Sequence, residues 1–291
     1  MNLPRRTFLK STLAASATGA LASQLSAASS KGPAQEFYEL RCYHLKADTR
    51  LKANADSALL DLYLENAFLP ALRKLGLKNT GIFTELEVDK KKGTRAPKAD
   101  SPVWVLMTHR SLDSYVKVTA DLNADPKVLR AGGEYMKVPK SAPAFERIDS
   151  WLLRAFAGMP KLSVPAFSKK GVPTRVFEMR DYESHSEERA IAKMEMFNNG
   201  EIEVMHEIGL DPVFFAQALS GPNLPHLRYI TSGPDLETHL ASWKKFGPHP
   251  IWQKLKNDPY YADSTSRNTA RFLTPKLLNF PGRDAALIFL G

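Results

Sequence analysis

Apolar and polar side chains follow two different periods along the first half of the chain. From Phe37 to His44 they alternate, which predicts a strand, whereas from Ala55 to Leu75 the apolar residues recur every three or four positions, which predicts a helix with one buried face. Pro70 lies inside that helix, so a kink or break is expected there. The remaining predicted elements of this half are strands over 77–88, 102–108 and 145–156, a polar helix from Leu112 and a short helix after Pro126.

The second half of the chain repeats this order of elements. Its long helix is predicted to start at the capping box Ser184-x-x-Glu187 and to run to His206. The other elements are strands over 175–182, 211–219, 226–232 and 267–273 and helices over 235–246 and 250–257. The order βαββαβ, found twice, predicts an α+β protein of two tandem ferredoxin-like units. Two such units, each with one open sheet face, would pack face to face as a pseudo-dimer.

Matching sequence segments support an internal duplication. Residues 38–43 (YELRCY) correspond to residues 177–182 (FEMRDY), and Leu75-Gly76-Leu77 corresponds to Ile208-Gly209-Leu210. We therefore predict a first domain over 36–157, a linker over 158–173, a second domain over 174–275 and a C-terminal tail over 276–291.

The second unit resembles the NIPSNAP domain. The resemblance is carried by residues 177–182, by 196–202 (MFNNGEI), by 209–215 (GLDPVFF) and by 243–246 (WKKF) leading to 249–252 (HPIW). The first unit resembles a more diverged copy, through Asp125-Pro126 and residues 148–154 (IDSWLLR). The resemblance implies the dimeric α/β-barrel superfamily, and it implies no settled biochemical activity because the family has none.

The amino terminus has the pattern of an export signal. Residues 1–30 begin with Arg5-Arg6 and continue with an uncharged stretch rich in Ala, Ser and Thr. The segment Arg5-Arg6-Thr7-Phe8-Leu9-Lys10 resembles a twin-arginine translocation signal. We expect cleavage near residues 22–30 and a periplasmic location, with an uncleaved membrane tether as the less favoured outcome. No permanent membrane span is predicted.

Charge and cysteine content exclude several classes of partner and site. The net charge is +9, but Arg5, Arg6 and Lys10 of the leader supply three of these charges, so no nucleic-acid partner is predicted. The lysine-rich segment 89–100 is expected to be a solvated hairpin loop, with contact to anionic lipid or polysaccharide as the alternative. The single cysteine, Cys42, rules out intrachain disulfides and Cys-rich metal sites.

Two polar sets on corresponding strands are the first candidate site. Because alternate strand residues share a face, Glu39, Arg41 and Tyr43 point one way, and the same holds for the second set. If the apolar residues between them pack under the helices, both sets face the barrel lumen and could bind a polar or anionic small molecule. The alternative is a pair of structural ion pairs. The second set is Glu178, Arg180 and Tyr182.

Aromatic residues near the end of the second unit are the second candidate. Trp243, Phe246 and Trp252, with Tyr260 and Tyr261 following, could line a ligand pocket or could be core packing.

Histidines provide weaker candidates. His206, beside Glu201, Glu203 and Glu207, could act as a general base or lie on a solvated helix edge. The spacing of His226, His239 and His249 fits no metal motif, so no metal is predicted. No cofactor is predicted, and haem is retained only because some members of the superfamily bind it.

These features favour an exported, non-catalytic barrel that binds a small molecule or assembles with a protein partner. The alternative is an oxygenase-type enzyme of the dimeric α/β-barrel superfamily, either cofactor-free or haem-dependent, which rests on analogy of fold. A homodimer is possible, although duplication would allow one chain to close the barrel alone.

Overall fold

The computed structural model describes residues 34–45, 57–77, 79–276 and 278. The predicted signal peptide and most of the predicted C-terminal tail lie outside these residues.

Nine antiparallel strands form a single sheet in the order β3-β2-β4-β1-β5-β7-β8-β6-β9. A further pairing between β2 and β9 closes eight of the strands into a barrel, and β3 pairs with β2 outside it. The strands are β1 (Phe37–His44), β2 (Thr80–Asp89), β3 (Thr94–Pro97), β4 (Val103–His109), β5 (Arg147–Ala155), β6 (Val176–Glu183), β7 (Phe214–Ser220), β8 (His226–Gly233) and β9 (Arg267–Pro275).

Helices cover the outside of the barrel. They are α1 (Ser57–Tyr63), α2 (Leu69–Lys74), α3 (Leu112–Ala124), α4 (Pro126–Ala131), α5 (Ala166–Lys169), α6 (Glu187–Met196), α7 (Ile202–Glu207), α8 (Leu236–Phe246) and α9 (Pro250–Lys256). Two π turns, Leu64–Phe68 and Phe197–Glu201, join α1 to α2 and α6 to α7, and 3-10 turns follow α4 and α9 at Gly133–Lys137 and Pro259–Tyr261. In the described part of the chain, none of the helices is long and apolar enough to cross a bilayer.

The predicted elements are present, with two additions. Strand β3 lies within segment 89–100, which the sequence indicated as a loop, and α5 lies within the predicted linker.

A π turn interrupts the first long helix next to Pro70, where the sequence predicted a kink or break. Pro70 stands in the first turn of α2, directly after that π turn.

The predicted capping box at Ser184 is wrong. Ser186 caps α6 by accepting a hydrogen bond from the backbone N–H of Arg189, at 3.3 Å. Ser184 instead donates to the carbonyl oxygen of Ser264, at 2.7 Å, and ties the end of β6 to the loop before β9. A serine two residues closer to the helix has the geometry that the cap requires.

Apolar side chains from both halves of the chain fill the barrel interior. Tyr38, Leu40 and Cys42 of β1 meet Phe177 and Met179 of β6 in one cluster. An eight-stranded barrel is just wide enough for side chains to fill it, so this interior is a packed core. Outside the barrel, a second cluster packs under the helices of the first half and a third under those of the second half.

A buried ionic network closes one end of the interior. The carboxylate of Asp181 accepts hydrogen bonds from Arg228, from Arg271 at 2.8 Å and from the hydroxyl of Thr269 at 3.2 Å. The guanidinium of Arg228 stacks on Trp151, with 4.2 Å between its Cζ and the ring centroid.

Candidate functional site

The two polar strand sets lie outside the barrel, under the helices, and the prediction that they line the lumen is wrong. Tyr43 belongs to the outer core of the first half, and Tyr182 packs against that of the second half. The alternation along β1 and β6 was correct, but the apolar residues face the interior. A barrel of this size has no room for solvated polar side chains, whereas the layer between sheet and helices retains a cavity.

The first polar set, Glu39, Arg41 and Tyr43, is enclosed by neighbouring side chains. The carboxylate of Glu39 accepts a hydrogen bond from Nε of Arg41 at 2.5 Å and lies 3.7 Å from Nε2 of His109. Burial alone would raise the pKa of Glu39, but the neighbouring His109 and Arg41 lower it. Above this set, the rings of Tyr63 and Tyr135 stack with 4.1 Å between their centroids. Glu39, Arg41 and Tyr43 therefore form a covered structural cluster.

The second set opens onto a pocket of about 500 Å³ between the sheet and the helices of the second half. Its walls combine aromatic rings with charged groups, and Lys256 and Asp263 lie exposed at its edge. The aromatic lining residues are Tyr182, Trp243, Phe246, Trp252 and Tyr261, and the other charged ones are Arg180, Lys193 and Glu201. Seven of the residues singled out from the sequence thus line one cavity: Arg180, Tyr182, Glu201, Trp243, Phe246, Trp252 and Tyr261.

Glu178 lies behind this pocket and orients its wall. It is fully buried, and its carboxylate accepts a hydrogen bond from Nε1 of Trp243 at 2.5 Å and one from Nε2 of His239 at 2.9 Å. Nζ of Lys90, from the β2–β3 turn, lies 3.2 Å away. Burial would raise the pKa of Glu178, but the His239 hydrogen bond and the charges of Arg180 and Lys90 lower it to about 2. Glu178 is therefore ionised, and its hydrogen bonds hold the side chains of Trp243 and His239 in place.

Arg180 presents its guanidinium to the cavity. Its side chain is 21% exposed, and its Nε is 3.8 Å from Oε1 of Glu178, too far for a hydrogen bond. The Cζ atom lies 4.7 Å from the ring centroid of Trp243 and 5.6 Å from that of Tyr182. Nε is buried without a hydrogen-bond partner. The charge therefore lies close to two aromatic rings, and its Nε–H group has no hydrogen-bond partner.

The floor of the pocket holds a buried ion pair. Nζ of Lys193 lies 2.5 Å from Oε1 of Glu201, and the side chains are 7% and 2% exposed. The ammonium group also lies 5.0 to 5.6 Å from the ring centroids of Phe197, Tyr182 and Trp252. Burial raises the pKa of Glu201, although Lys193 and Arg180 oppose the shift.

The π turn and Gly200 bring Glu201 to this floor. Gly200 has φ of 152°, and a Cβ there would lie only 2.6 Å from Cγ2 of Ile251. The wider turn and the missing side chain let α9 pack close, so that Glu201 turns inward while Glu203 and Glu207 stay on the outer face.

The aromatic side chains form one continuous wall. The ring centroids of Trp243 and Phe246 are 5.5 Å apart, and those of Phe246 and Trp252 are 4.7 Å apart. Tyr261 joins the lining, whereas Tyr260 lies outside it and donates a hydrogen bond to Glu195 at 2.6 Å.

The histidine candidates lie away from the cavity. His206 is exposed and His249 is within 2.9 Å of Glu207. His239 supports Glu178 from behind, and His226 lies at the edge of the barrel interior, where burial lowers its pKa to about 4. The residues lining the pocket include no histidine, so none of them could serve as a proximal histidine for haem. Among the residues that the structure describes, no group of three or more His, Cys, Asp or Glu could hold a metal ion.

Sequence reasoning missed Lys193 and Lys90. Lys193 could have been noticed in the sequence, because it occupies an apolar position of an amphipathic helix, near Ala190, Met196 and Phe197. No local pattern connects Lys90 with Glu178, because 88 residues separate them.

Comparison with known proteins identifies the segment that builds this pocket. Residues 177–277 match the NIPSNAP family model. The NIPSNAP segment runs from β6 to the end of β9 and includes every side chain named above as lining the cavity. No functionally curated protein matches the sequence significantly.

Solved structures share the fold. A proposed monooxygenase from Lactobacillus acidophilus has a TM-score of 0.51 and 8% identity, over 83% of this chain and 94% of that protein. A proposed monooxygenase from Fusobacterium nucleatum has a TM-score of 0.50 and 9% identity, over 84% and 94%. A NIPSNAP-like domain protein from Burkholderia xenovorans has 16% identity and a TM-score of 0.33, over 38% of this chain and 91% of that one. The chain therefore has a mixed α/β fold built on an eight-stranded antiparallel barrel, and the two proposed monooxygenases share this fold.

Proposed function

We propose that this protein binds a small aromatic molecule with an anionic group in the pocket of its NIPSNAP segment. The observation that carries the proposal is the cavity of about 500 Å³, in which Arg180 meets the aromatic wall. A cavity of this volume is within the usual range for small-molecule sites.

The lining defines the class of ligand. Flat rings such as Trp243, Phe246 and Trp252 offer stacking surface to a planar apolar body. The guanidinium of Arg180 offers parallel N–H donors, which suit a carboxylate or sulfonate. An aromatic anion satisfies both features at once.

We further propose that the chain is a tandem duplication of ferredoxin-like units in which the second unit retains an open pocket. Each half runs strand, helix with a π turn, two strands, helices and strand, apart from the extra strand β3. Arg41 and Arg180 then occupy equivalent strand positions, one packed against Phe68 and the other facing the cavity. Arg41 therefore provides a matched control for any role of Arg180.

An oxygenase-type activity is the second candidate. It is supported by the shared fold with two proposed monooxygenases, and at 8% and 9% identity this similarity concerns the fold alone. Because the lining includes no histidine, the cofactor-free version has more support than one that uses haem with a proximal histidine. Assembly with a protein partner, or as a homodimer, is compatible with either function.

Arg180→Met is expected to weaken binding of 1-anilinonaphthalene-8-sulfonate, an aromatic sulfonate whose fluorescence rises in apolar sites. A hydrogen bond to a charged group contributes about 1.5–3 kcal/mol, so the dissociation constant should rise about tenfold or more. A fluorescence titration measures this directly.

Arg41→Met is the control and should leave the dissociation constant unchanged. An equal loss of affinity in both variants, or no loss in either, would contradict the assignment of the binding site to the pocket of the second half. Circular dichroism of each variant checks that the barrel is folded.

We also propose that the protein is exported and cleaved. Native mass spectrometry of the protein recovered from the periplasm of an exporting host should give the mass of a chain lacking about its first 22 to 30 residues. A ligand would add a mass that disappears on denaturation. Recovery of the full-length chain only from the cytoplasm would overturn the export proposal.

A further inference from the structure

We propose, on the basis of the pocket function above, that the ligand is a phenol bound as its phenolate. Glu201 takes the hydroxyl proton, and Lys193 and Arg180 hold the resulting anion. The proposal rests on the placement of a buried Lys–Glu pair within the lining of an aromatic pocket that already carries one incompletely paired arginine.

The first unit indicates that the fold does not need this pair. Counting from the two π turns, Lys193 corresponds to Leu60 and Glu201 to Phe68, and both of these are buried apolar residues. Because replacing a buried ion pair with apolar side chains often leaves stability unchanged or improves it, the Lys193–Glu201 pair has little value as a structural contact. A chemical role explains it better.

The charges around the pocket favour an anion next to Lys193. Strand β6 contributes Arg180 and Tyr182, β8 contributes Tyr229, and Lys256 and Asp263 lie at the solvent edge. Behind the wall, ionised Glu178 is balanced by Lys90 and bonded to His239. The hydroxyl groups of Tyr182 and Tyr229 are hydrogen-bonded to each other at 3.0 Å. Burial raises the pKa of both tyrosines, so they remain neutral.

The proton transfer balances within the site. The phenol O–H bond breaks, the proton binds a carboxylate oxygen of Glu201, and the electron pair stays on the phenolate oxygen. The Lys193 ammonium then exchanges one counterion for another, from the carboxylate to the phenolate, while Arg180 approaches from the other side. The charge of the site is the same before and after, so no oxidant, reductant or further reactant is needed. Burial raises the pKa of Glu201, which makes its carboxylate a better proton acceptor.

4-Nitrophenol is the probe, because its phenolate absorbs visible light and its neutral form does not. We expect binding to the whole mature protein to lower the pKa of the nitrophenol by about 1 to 2, as an opposite charge at close range does. A pH titration of the absorbance with protein in excess measures the shift. Arg180→Met should reduce the shift, and Arg41→Met should not.

Proton uptake tests Glu201 separately. Above the pKa of free 4-nitrophenol the ligand arrives as phenolate, so Glu201 must take about one proton from solvent for each molecule bound. Calorimetry in two buffers of different ionisation enthalpy measures that number. Glu201→Gln, which keeps the shape but cannot be protonated, should bind 4-nitrophenolate with no uptake.

The outcomes separate this inference from the pocket function. If the protein binds 1-anilinonaphthalene-8-sulfonate but fails to bind 4-nitrophenol, or binds it without a pKa shift, the phenolate assignment is overturned and the pocket function stands. Equal proton uptake in wild type and Glu201→Gln overturns the role of Glu201. If neither probe binds the wild-type protein, both proposals fail.

Discussion

Asp181→Ala is expected to destabilise the protein by about 3–5 kcal/mol, because it leaves a buried arginine without its counterion. The exposed fractions of Asp181 and Arg228 are only 5% and 2%, and the two form an ion pair inside the barrel. Arg271 and Thr269 would lose the same carboxylate acceptor. The free energy of unfolding, measured with a chemical denaturant, tests the expectation.

Asp100→Ala is the matched control. The Asp100 side chain is 64% exposed and lies 3.9 Å from Lys98, so its loss should change stability by less than about 0.5 kcal/mol. A similarly small effect for Asp181→Ala would show that the barrel interior tolerates an unpaired Arg228, and the expectation would be wrong.

The same carboxylate makes the barrel sensitive to acid. Burial would raise the pKa of Asp181, but the neighbouring charges of Arg228 and Arg271 lower it below the ordinary 3.8. The folded state therefore binds the proton less readily than the unfolded chain does. The stability that Asp181 contributes is present above pH 3.8 and is lost as the pH falls through the lowered value.

The double substitution Lys193→Leu with Glu201→Phe should abolish ligand binding and preserve the fold. It copies the Leu60 and Phe68 pair of the first unit, so no buried charge is left unpaired and the phenyl ring fills the pocket floor. We expect the dissociation constant for 1-anilinonaphthalene-8-sulfonate to rise about 100-fold or more, equivalent to about 2.7 kcal/mol. Fluorescence titration measures binding, and thermal unfolding checks the fold.

Retention of wild-type affinity in a folded double variant would place the binding site elsewhere. A single Glu201→Phe variant is a poorer test, because Lys193 would remain charged and buried without its carboxylate.

Hydrophobic periodicity predicted the elements because each strand and helix buries one side against a core. The strand over Phe37–His44 and the helix from Leu112 follow directly from it. The ends of the elements were harder to predict than their existence. Ser184 and Ser186 both lie near the start of α6, and the sequence alone does not show which of the two serines caps the helix.

The alternation along a strand separates two faces but does not say which one turns inward. Glu39, Arg41 and Tyr43 were assigned to the lumen on the assumption that the apolar face packs under the helices. The inward direction of the apolar face depends on residues from the whole chain. Trp104, Trp151 and Phe214 pack together with Tyr38 and Phe177 inside the barrel. No single strand contains that information.

The sequence predicted individual residues of the candidate site but not the contacts between them. Arg180 and Trp243 could be singled out by residue type, but their contact depends on how α8 packs against the sheet. The contact between Lys90 and Glu178 depends on closure of the barrel, which brings the β2–β3 turn of the first half to the second half.

A crystal structure of the mature protein with bound 1-anilinonaphthalene-8-sulfonate would locate the binding site. We expect the sulfonate at the guanidinium of Arg180 and the aromatic rings against Trp243 and Trp252. Electron density for the probe inside the barrel or over Arg41, with the second pocket empty, would contradict this expectation.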